Sequence, residues 1–213
     1  MKIFWLMFAL LALEANAAPV PSILVVGDSL SAGYGIELRD GWVTLLQQRL
    51  TRQGYPHAVV NASISGDTTS GGRARLAAAL KRHRPRIVIL ELGGNDGLRG
   101  LSLRETRANL EAMIKSAQTA GAQVLLVGIH LPSNYGPEYT GKFHAIYRDL
   151  ARARNTALVP FLLEGVALTP GLMQPDGIHP RAAAQPRLLD NVWPYLEPLL
   201  KPETEPVARQ TSR

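Results

Sequence analysis

The sequence contains no cysteine in its 213 residues. A disulfide-stabilised scaffold, a zinc site built only from thiolates and a cysteine nucleophile are therefore excluded. Aromatic residues make up only 6% of the chain, which is few for a protein that binds nucleic acid by stacking bases. The net charge of +6 comes from basic residues spread along the chain, with the densest run at residues 81–84. We therefore expect no nucleic acid partner.

Apolar residues are abundant and make up 46% of the chain, whereas charged residues make up 19%. This balance is typical of a folded globular protein and excludes disorder throughout. The 19 glycines and 15 prolines follow no period, which excludes a collagen-like chain. A length of 213 residues fits a single domain.

A long apolar run occurs at the start of the chain, over residues 3–13, after the single positive charge of Lys2. Ala15-Asn16-Ala17 follows it with the small-x-small pattern of a cleavage site, so residues 1–17 are predicted to be a secretory signal peptide. The run is shorter than the roughly 20 residues that a membrane-spanning helix needs. An uncleaved membrane anchor is the alternative. We expect an exported protein, periplasmic or secreted, with no stable membrane insertion after cleavage.

The rest of the chain alternates short apolar runs with amphipathic stretches. Unbroken apolar runs predict strands that are buried on both faces, as in a parallel sheet. The predicted strands are residues 23–26, 58–60, 87–90, 124–127 and 158–159. Strands that alternate with helices predict an α/β domain with a five-stranded parallel sheet over residues 18–200. Residues 201–213 are polar and are predicted to form a disordered tail.

In such a sheet, functional sites gather at the carboxyl ends of the strands. The first of these loops reads GDSLS over residues 27–31 and exposes Ser29 directly after a buried strand. The backbone N–H of Ser29 points outward there and is available to an anion. The alternative interpretation of Asp28 and Ser29 is a helix cap, since both residue types are favoured at that position.

The last loop contains Asp176 and His179, three residues apart. A serine nucleophile needs a base that accepts protons near neutral pH, and histidine is the natural choice. A carboxylate commonly fixes the tautomer of such a histidine. Asp176 and His179 therefore predict a base and its partner, whereas the alternative is an Asx turn with an incidental histidine.

Two middle loops offer donors for a developing negative charge. Gly66 has no side chain, so its N–H can closely approach a substrate oxygen. Asn95 can donate from its side-chain amide into the same pocket. Taken one at a time, both residues are equally well explained by turn chemistry.

Together, these loops resemble the SGNH hydrolases, also called the GDSL family, and within it the bacterial thioesterase I, lysophospholipase and arylesterase group. The resemblance extends over nearly the whole chain after residue 17 and runs in the order of the family's motifs. The matching blocks are VGDSLSAGYG (26–35), VNASISGDT (60–68), ELGGNDGLRG (91–100) and MQPDGIHP (173–180), with LPSNYG (131–136) typical of the subgroup.

The resemblance implies a flavodoxin-like, three-layer α/β/α fold and a serine esterase. It implies Ser29 as nucleophile and His179 as general base, held by Asp176. The oxyanion hole would comprise the N–H groups of Ser29 and Gly66 and the amide of Asn95. Substrates would be small acyl esters or thioesters, such as acyl-CoA, lysophospholipids and aryl esters. We expect no metal, no cofactor and a monomer.

The sequence also bears on other functions. The Gly-x-Ser-x-Gly elbow is absent, which argues against an α/β-hydrolase. Residues 93–100 do not match Gly-x-Gly-x-x-Gly and no Gly-Lys-Ser/Thr occurs, which argues against nucleotide binding. A non-catalytic exported binding protein of the same fold would be expected to lack at least one of the proposed catalytic residues. Ser29, Gly66, Asn95, Asp176 and His179 are all present. An esterase or deacetylase of acylated carbohydrate remains an alternative.

One further residue is predicted to bind substrate. Residues 97–100 begin and end with glycine, which favours a mobile loop that covers a bound substrate. We expect Leu98 to contact the acyl chain when this loop closes. The alternative is that Leu98 packs into the core beneath the loop.

Overall fold

The computed structural model describes residues 20–201 of the chain. The predicted signal peptide, and the predicted tail after Lys201, lie outside the described residues. The strands are β1 (Ser22–Gly27), β2 (Ala58–Asn61), β3 (Ile87–Glu91), β4 (Gln123–Val127) and β5 (Ala157–Val159). The α-helices are α1 (Ser29–Ala32), α2 (Trp42–Arg52), α3 (Thr69–His83), α4 (Gly94–Leu98), α5 (Leu103–Thr119), α6 (Pro137–Arg154) and α7 (Gln185–Leu200).

All five strands are parallel and lie in the order β2-β1-β3-β4-β5. This is the flavodoxin-like order, so the prediction of a five-stranded parallel sheet is confirmed. The register aligns Val25 with Asn61 and Gly27 with Glu91. The carboxyl ends of β1, β2 and β3 therefore lie side by side, and the loops that follow them share one edge of the sheet.

Alternate residues of the central strands face opposite helical layers. Ile23 and Val25 belong to the core that contains α2 and α7. Leu24 and Val26 belong to the core that contains α3, α5 and α6. Both faces of β1 are therefore covered, and residues 23–26 are fully buried. This two-sided burial explains why the strand reads as an unbroken apolar run instead of an alternating pattern.

Local signals set most helix ends. Ser102 caps α5 by accepting the Glu105 N–H at 3.4 Å, as the spacing of these two residues predicts. The last helix, α7, begins at Gln185, after a 3₁₀ turn over Ala182–Ala184. Pro186 lies in the first turn of α7, where the missing N–H costs no helical hydrogen bond. This proline therefore begins the helix instead of breaking it.

Candidate active site

The turn after β1 presents Ser29 at the carboxyl edge of the sheet. Asp28 caps α1 and its Oδ1 atom accepts the Leu30 N–H at 3.0 Å. The helix-cap interpretation is therefore correct for Asp28. Ser29 is the first residue of this short helix, so its side chain projects from a turn that is fixed by the residue before it.

His179 bridges Ser29 and Asp176. The Ser29 Oγ lies 2.8 Å from His179 Nε2, and His179 Nδ1 lies 2.7 Å from Asp176 Oδ2. An ionised carboxylate can only accept, so Nδ1 carries the proton. The Nε2 atom is then the acceptor and Ser29 Oγ the donor. This is the tautomer that a general base needs.

The two carboxylate oxygens of Asp176 accept hydrogen bonds from different donors. Oδ1 accepts the backbone N–H groups of Ile178 and His179 at 2.9 and 3.0 Å. Oδ2 accepts the hydrogen bond from the imidazole N–H of His179. The hydrogen bond from the His179 side chain, together with the two backbone bonds, lowers the pKa of Asp176 to about 2. The Asx turn that was the alternative interpretation is present, and it shapes the loop that brings the two side chains together.

Two side chains, Tyr34 and Gln174, support the His179 loop through contacts that the sequence did not reveal. The Tyr34 ring lies against the imidazole, with ring centroids 4.5 Å apart. Gln174 Nε2 donates to the carbonyl oxygens of Tyr34 and Pro180 at 2.8 and 3.2 Å. These bonds connect the loop after β1 to the loop that carries His179.

Gly66 lies in a tight turn of the loop that follows β2. Asp67 N donates to Ile64 O at 3.1 Å, and Gly66 has a φ angle of +80°. A residue with a side chain is strained there, as at the third position of a type II turn. Turn chemistry therefore explains the glycine, and the same turn brings its backbone to the edge that Ser29 occupies.

Asn95 lies in α4, and its amide is oriented from both ends. Nδ2 donates to Asp28 Oδ2 at 3.1 Å. Oδ1 lies 3.4 Å from Arg99 Nη2, which also donates to Gly66 O at 2.9 Å. Arg99 thus connects the turn that carries Gly66 to the helix that carries Asn95. Neither Asp28 nor Arg99 was predicted to orient these groups.

Asp28 is only 2% exposed. Its burial raises the pKa of the carboxyl group to about 6, although the hydrogen bonds from Leu30 N–H and Asn95 act in the opposite direction. A buried carboxylate is costly unless hydrogen bonds compensate it. The amide of Asn95 supplies one of these bonds and is itself aligned by it.

Leu98 does not lie on an open loop. Residues 94–98 are helical, and Gly97 is buried and close-packed, since a methyl group there would lie 2.6 Å from Leu131 Cδ2. The carbonyl oxygens of Gly97 and Leu98 accept hydrogen bonds from Tyr139 and Tyr135 at 3.3 and 2.8 Å. The expectation of glycine-derived freedom at residue 97 is therefore wrong. Leu98 is half-buried against the core, so part of its side chain packs as in the alternative interpretation and the rest remains exposed.

The structure therefore brings together Ser29, His179 and Asp176, and connects Gly66 with Asn95 beside them. No group of three or more His, Cys, Asp or Glu side chains in residues 20–201 is arranged to hold a metal ion. None of the helices in that part of the chain is long and apolar enough to cross a membrane.

Comparison with known proteins identifies the family. The sequence profile of the GDSL-like Lipase/Acylhydrolase family matches residues 25–186. The chain is 55% identical over 190 residues to Esterase TesA of Pseudomonas aeruginosa, covering 89% of this chain and 94% of that protein. It is 46% identical over 191 residues to Thioesterase 1/protease 1/lysophospholipase L1 of Escherichia coli K12, covering 90% of each. The crystal structure of TesA superimposes with a TM-score of 0.83 at 57% identity, covering 84% of this chain and 99% of that one. The chain therefore belongs to the GDSL-like lipase/acylhydrolase family and is an ester hydrolase.

Proposed function

We propose that this hydrolase cleaves carboxylic esters and thioesters through a covalent acyl-enzyme on Ser29. One observation carries the proposal: the unbroken chain of short contacts from Ser29 Oγ through His179 to Asp176, at 2.8 and 2.7 Å. A serine hydroxyl is a weak nucleophile until an adjacent base removes its proton. Here the base is within hydrogen-bond distance and is itself held by a carboxylate.

In the first half of the reaction, Ser29 Oγ attacks the carbonyl carbon of the substrate while its proton passes to His179 Nε2. The imidazolium that forms is stabilised by the Asp176 carboxylate, which stays ionised because its pKa is about 2. His179 then gives the proton to the leaving alcohol or thiol. The carbon–oxygen or carbon–sulfur bond breaks and the acyl group remains on Ser29.

The negative charge that develops on the carbonyl oxygen needs donors that are already in place. We assign this role to the N–H groups of Ser29 and Gly66 and to the Asn95 amide. All three lie at the same edge of the sheet, and Asn95 is held by Asp28 and Arg99. Loss of one such donor commonly lowers kcat by a factor of about 100 to 1,000.

In the second half, a water molecule replaces the alcohol or thiol. His179 takes its proton, the resulting hydroxide attacks the acyl carbon, and His179 returns the proton to Ser29 Oγ as the free acid leaves. Every proton in the cycle passes through one imidazole nitrogen. Ser29, His179 and Asp176 together with the three proposed donors are sufficient for these steps, and we expect a chelator to leave the rate unchanged.

The substrates are inferred from the relatives, which are named esterase, thioesterase and lysophospholipase. Acyl-CoA thioesters, lysophospholipids and aryl esters share an acyl carbonyl with a good or moderate leaving group. Hydrolysis of graded p-nitrophenyl esters and acyl-CoAs, compared with an acetylated oligosaccharide, measures this preference. Faster turnover of the acetylated sugar than of any acyl ester would replace the proposal with carbohydrate deacetylation.

A serine-directed phosphonate tests the assignment of the nucleophile. The wild-type protein is expected to lose activity as one phosphonate is incorporated at Ser29, as located by peptide mass spectrometry. Ser29→Ala should be fully folded, inactive and unlabelled. Ser31→Ala is the matched control, since it removes a neighbouring hydroxyl and should leave the labelling site unchanged. Labelling at a different serine would refute the assignment.

We also propose that the protein is exported. The proposal rests on Lys2, the apolar residues 3–13 and Ala15-Asn16-Ala17, which together have the form of a cleavable signal. Mass spectrometry of periplasmic or secreted material should find a mature chain that begins at Ala18. Recovery of the intact chain with Met1 from the membrane fraction would favour the anchor instead.

A further inference from the structure

The strand β3 ends in a carboxyl group that the proposed chemistry does not use. Glu91 follows four apolar residues and, like them, is 0% exposed. Its Oε2 atom lies 2.6 Å from Ser31 Oγ and 3.3 Å from the Asp28 backbone nitrogen. Its Oε1 atom is buried and has no hydrogen-bond partner among residues 20–201. A charged residue type in this position, with one oxygen unpaired, calls for an explanation.

The neighbouring strand leaves room for this carboxyl group. Glu91 is aligned with Gly27, the last residue of β1. A methyl group on residue 27 would lie 2.7 Å from Glu91 Oε2 and 2.8 Å from the Ser31 hydroxyl. Atoms do not approach so closely, so any larger residue at 27 would displace the carboxyl group or the turn. The glycine that precedes Asp28 and Ser29 therefore has a packing reason, which is the space taken by Glu91 and Ser31.

The position of Glu91 is costly for the folded protein. Burial raises the pKa of Glu91 well above its ordinary value, and the nearby Asp28 carboxyl group raises it further. A buried polar atom without a partner also lowers stability, and replacement of buried ionisable groups by apolar residues of similar volume is often neutral or stabilising. Packing alone therefore does not account for a glutamate here.

The contacts of Glu91 lie on both sides of Ser29. It accepts from the N–H of Asp28, the residue immediately before Ser29, and it bonds to the hydroxyl of Ser31, two residues after it. The other side of Ser31 is also held, because Asn61 Nδ2 donates to the Ser31 carbonyl oxygen at 2.9 Å. The turn that carries Ser29 is thus fixed from beneath by a side chain of β3 and from the side by one of β2.

We propose that Glu91 is a positioning residue for Ser29. It acts through Asp28 and Ser31, sets the direction of the Ser29 side chain and backbone N–H, and does not itself touch the substrate. The inference rests on the proposed role of Ser29 as nucleophile. A displacement of about 1 Å at a reacting group lowers rates by as much as about a hundredfold, so loss of this support should be measurable in kcat.

The test separates positioning from a purely structural role by measuring rate and stability in the same variants. Glu91→Leu removes both hydrogen bonds and also the buried carboxyl group. We expect kcat on p-nitrophenyl butyrate to fall by a factor of about 10 to 100 and KM to stay within about twofold. Tm should change little, because the cost of leaving the Asp28 N–H and the Ser31 hydroxyl without an acceptor offsets the gain from removing the buried carboxyl group. Labelling of Ser29 by a phosphonate should slow by the same factor as kcat.

Glu91→Gln is the conservative variant. Its amide oxygen can accept from both Asp28 N–H and Ser31 Oγ–H, so it should restore kcat to within about threefold of the wild-type value. Ile89→Leu on the same strand is the matched control for a core substitution and should leave kcat and KM unchanged. Ser31→Ala, which removes one of the two contacts, should lower kcat by less than Glu91→Leu does.

Wild-type kcat in folded Glu91→Leu would overturn the proposal, and so would a loss of kcat that is matched by a lower Tm and not restored by Glu91→Gln. If Glu91→Leu does not fold, Glu91→Gln and Ser31→Ala are compared instead. Wild-type kcat in both of these variants would overturn the proposal. Failure of the phosphonate to label Ser29 in the wild-type protein would instead refute the assigned nucleophile, so the two failures are distinguishable.

Discussion

The carboxylate of Asp28 should control the alignment of Asn95, and Asp28→Asn tests this with a change of one group. In the wild-type protein, Asp28 accepts from Leu30 N–H at 3.0 Å and from Asn95 Nδ2 at 3.1 Å. An asparagine at residue 28 has only one acceptor oxygen. If that oxygen stays on Leu30 N–H, its amide NH₂ faces the NH₂ of Asn95, and the hydrogen bond is lost.

Asn95 cannot recover the bond by turning over. Its Oδ1 atom faces Arg99 Nη2 at 3.4 Å, so a flipped amide would place its NH₂ group against a guanidinium. The donor should therefore shift from its position instead of rotating by half a turn. Complete loss of an oxyanion donor lowers kcat by a factor of about 100 to 1,000, which sets the limit for Asn95→Ala. We expect Asp28→Asn to lower kcat by a factor of about 10 to 100, or about 1.4 to 2.8 kcal/mol of barrier.

The same substitution should stabilise the fold at high pH. The pKa of Asp28 is raised from 3.8 to about 6 in the folded protein. A carboxyl group whose pKa is raised by folding adds to the free energy of unfolding at low pH. This contribution disappears as the pH rises through the folded-state pKa of about 6. The difference between these two pKa values corresponds to about 3 kcal/mol, which is the upper limit for the gain in unfolding free energy from a neutral amide at residue 28. Urea denaturation of both proteins should therefore favour Asp28→Asn more at pH 8 than at pH 4.5.

The assay is steady-state hydrolysis of p-nitrophenyl butyrate by Asp28→Asn, Asn95→Ala and the double variant. Oxyanion donors act on the transition state, so kcat should fall with little change in KM. If Asp28 works through Asn95, the double variant should be about as slow as Asn95→Ala alone. Losses that multiply in the double variant would refute the reasoning, and so would wild-type kcat in Asp28→Asn.

Three further predictions concern other parts of the site. Asp176→Asn should lower kcat by a factor of about 1,000 to 10,000 between pH 5 and 9, because the carboxylate that fixes the imidazole tautomer is lost; similar rates in variant and wild type would contradict the assigned role. Arg99→Leu should lower kcat by about tenfold, since the bonds to Gly66 and Asn95 are removed, and Arg99→Lys should recover part of it; full activity in Arg99→Leu would show that the connection is dispensable. Leu98→Ala should reduce kcat/KM for decanoyl esters more than for acetyl esters, by a factor of about 3 to 10, because we propose that the exposed part of the side chain contacts the acyl chain; equal losses together with a lower Tm would assign Leu98 to the core alone.

Some features of this protein follow from the sequence by itself. Strands buried on both faces require unbroken apolar runs, so residues 23–26 and 87–90 indicated a parallel sheet with helices on both sides. Functional side chains of a parallel sheet lie in the loops that follow its strands. Residue type and position therefore identified Ser29, His179 and Asp176 as candidates. The Ser102 cap of α5 was equally visible, because a cap depends on residues only three apart.

Other features depended on contacts between distant parts of the chain. Glu91 meets Ser31 only because β1 and β3 are neighbours in register, and Asp28 meets Asn95 across 67 residues for the same reason. Glu91 did leave a signal, since a carboxylate ends an otherwise apolar strand, but the sequence does not say what faces it.

At Gly97 the sequence suggested a property that the structure contradicts. Glycines there suggested freedom, whereas the tertiary structure packs Gly97 tightly beneath Leu131. Local periodicity and residue type determined the elements of this protein and the chemistry of its edge loops. The order and register of the strands decided which side chains support that chemistry, because hydrogen bonds between distant residues form only after the sheet has brought them together.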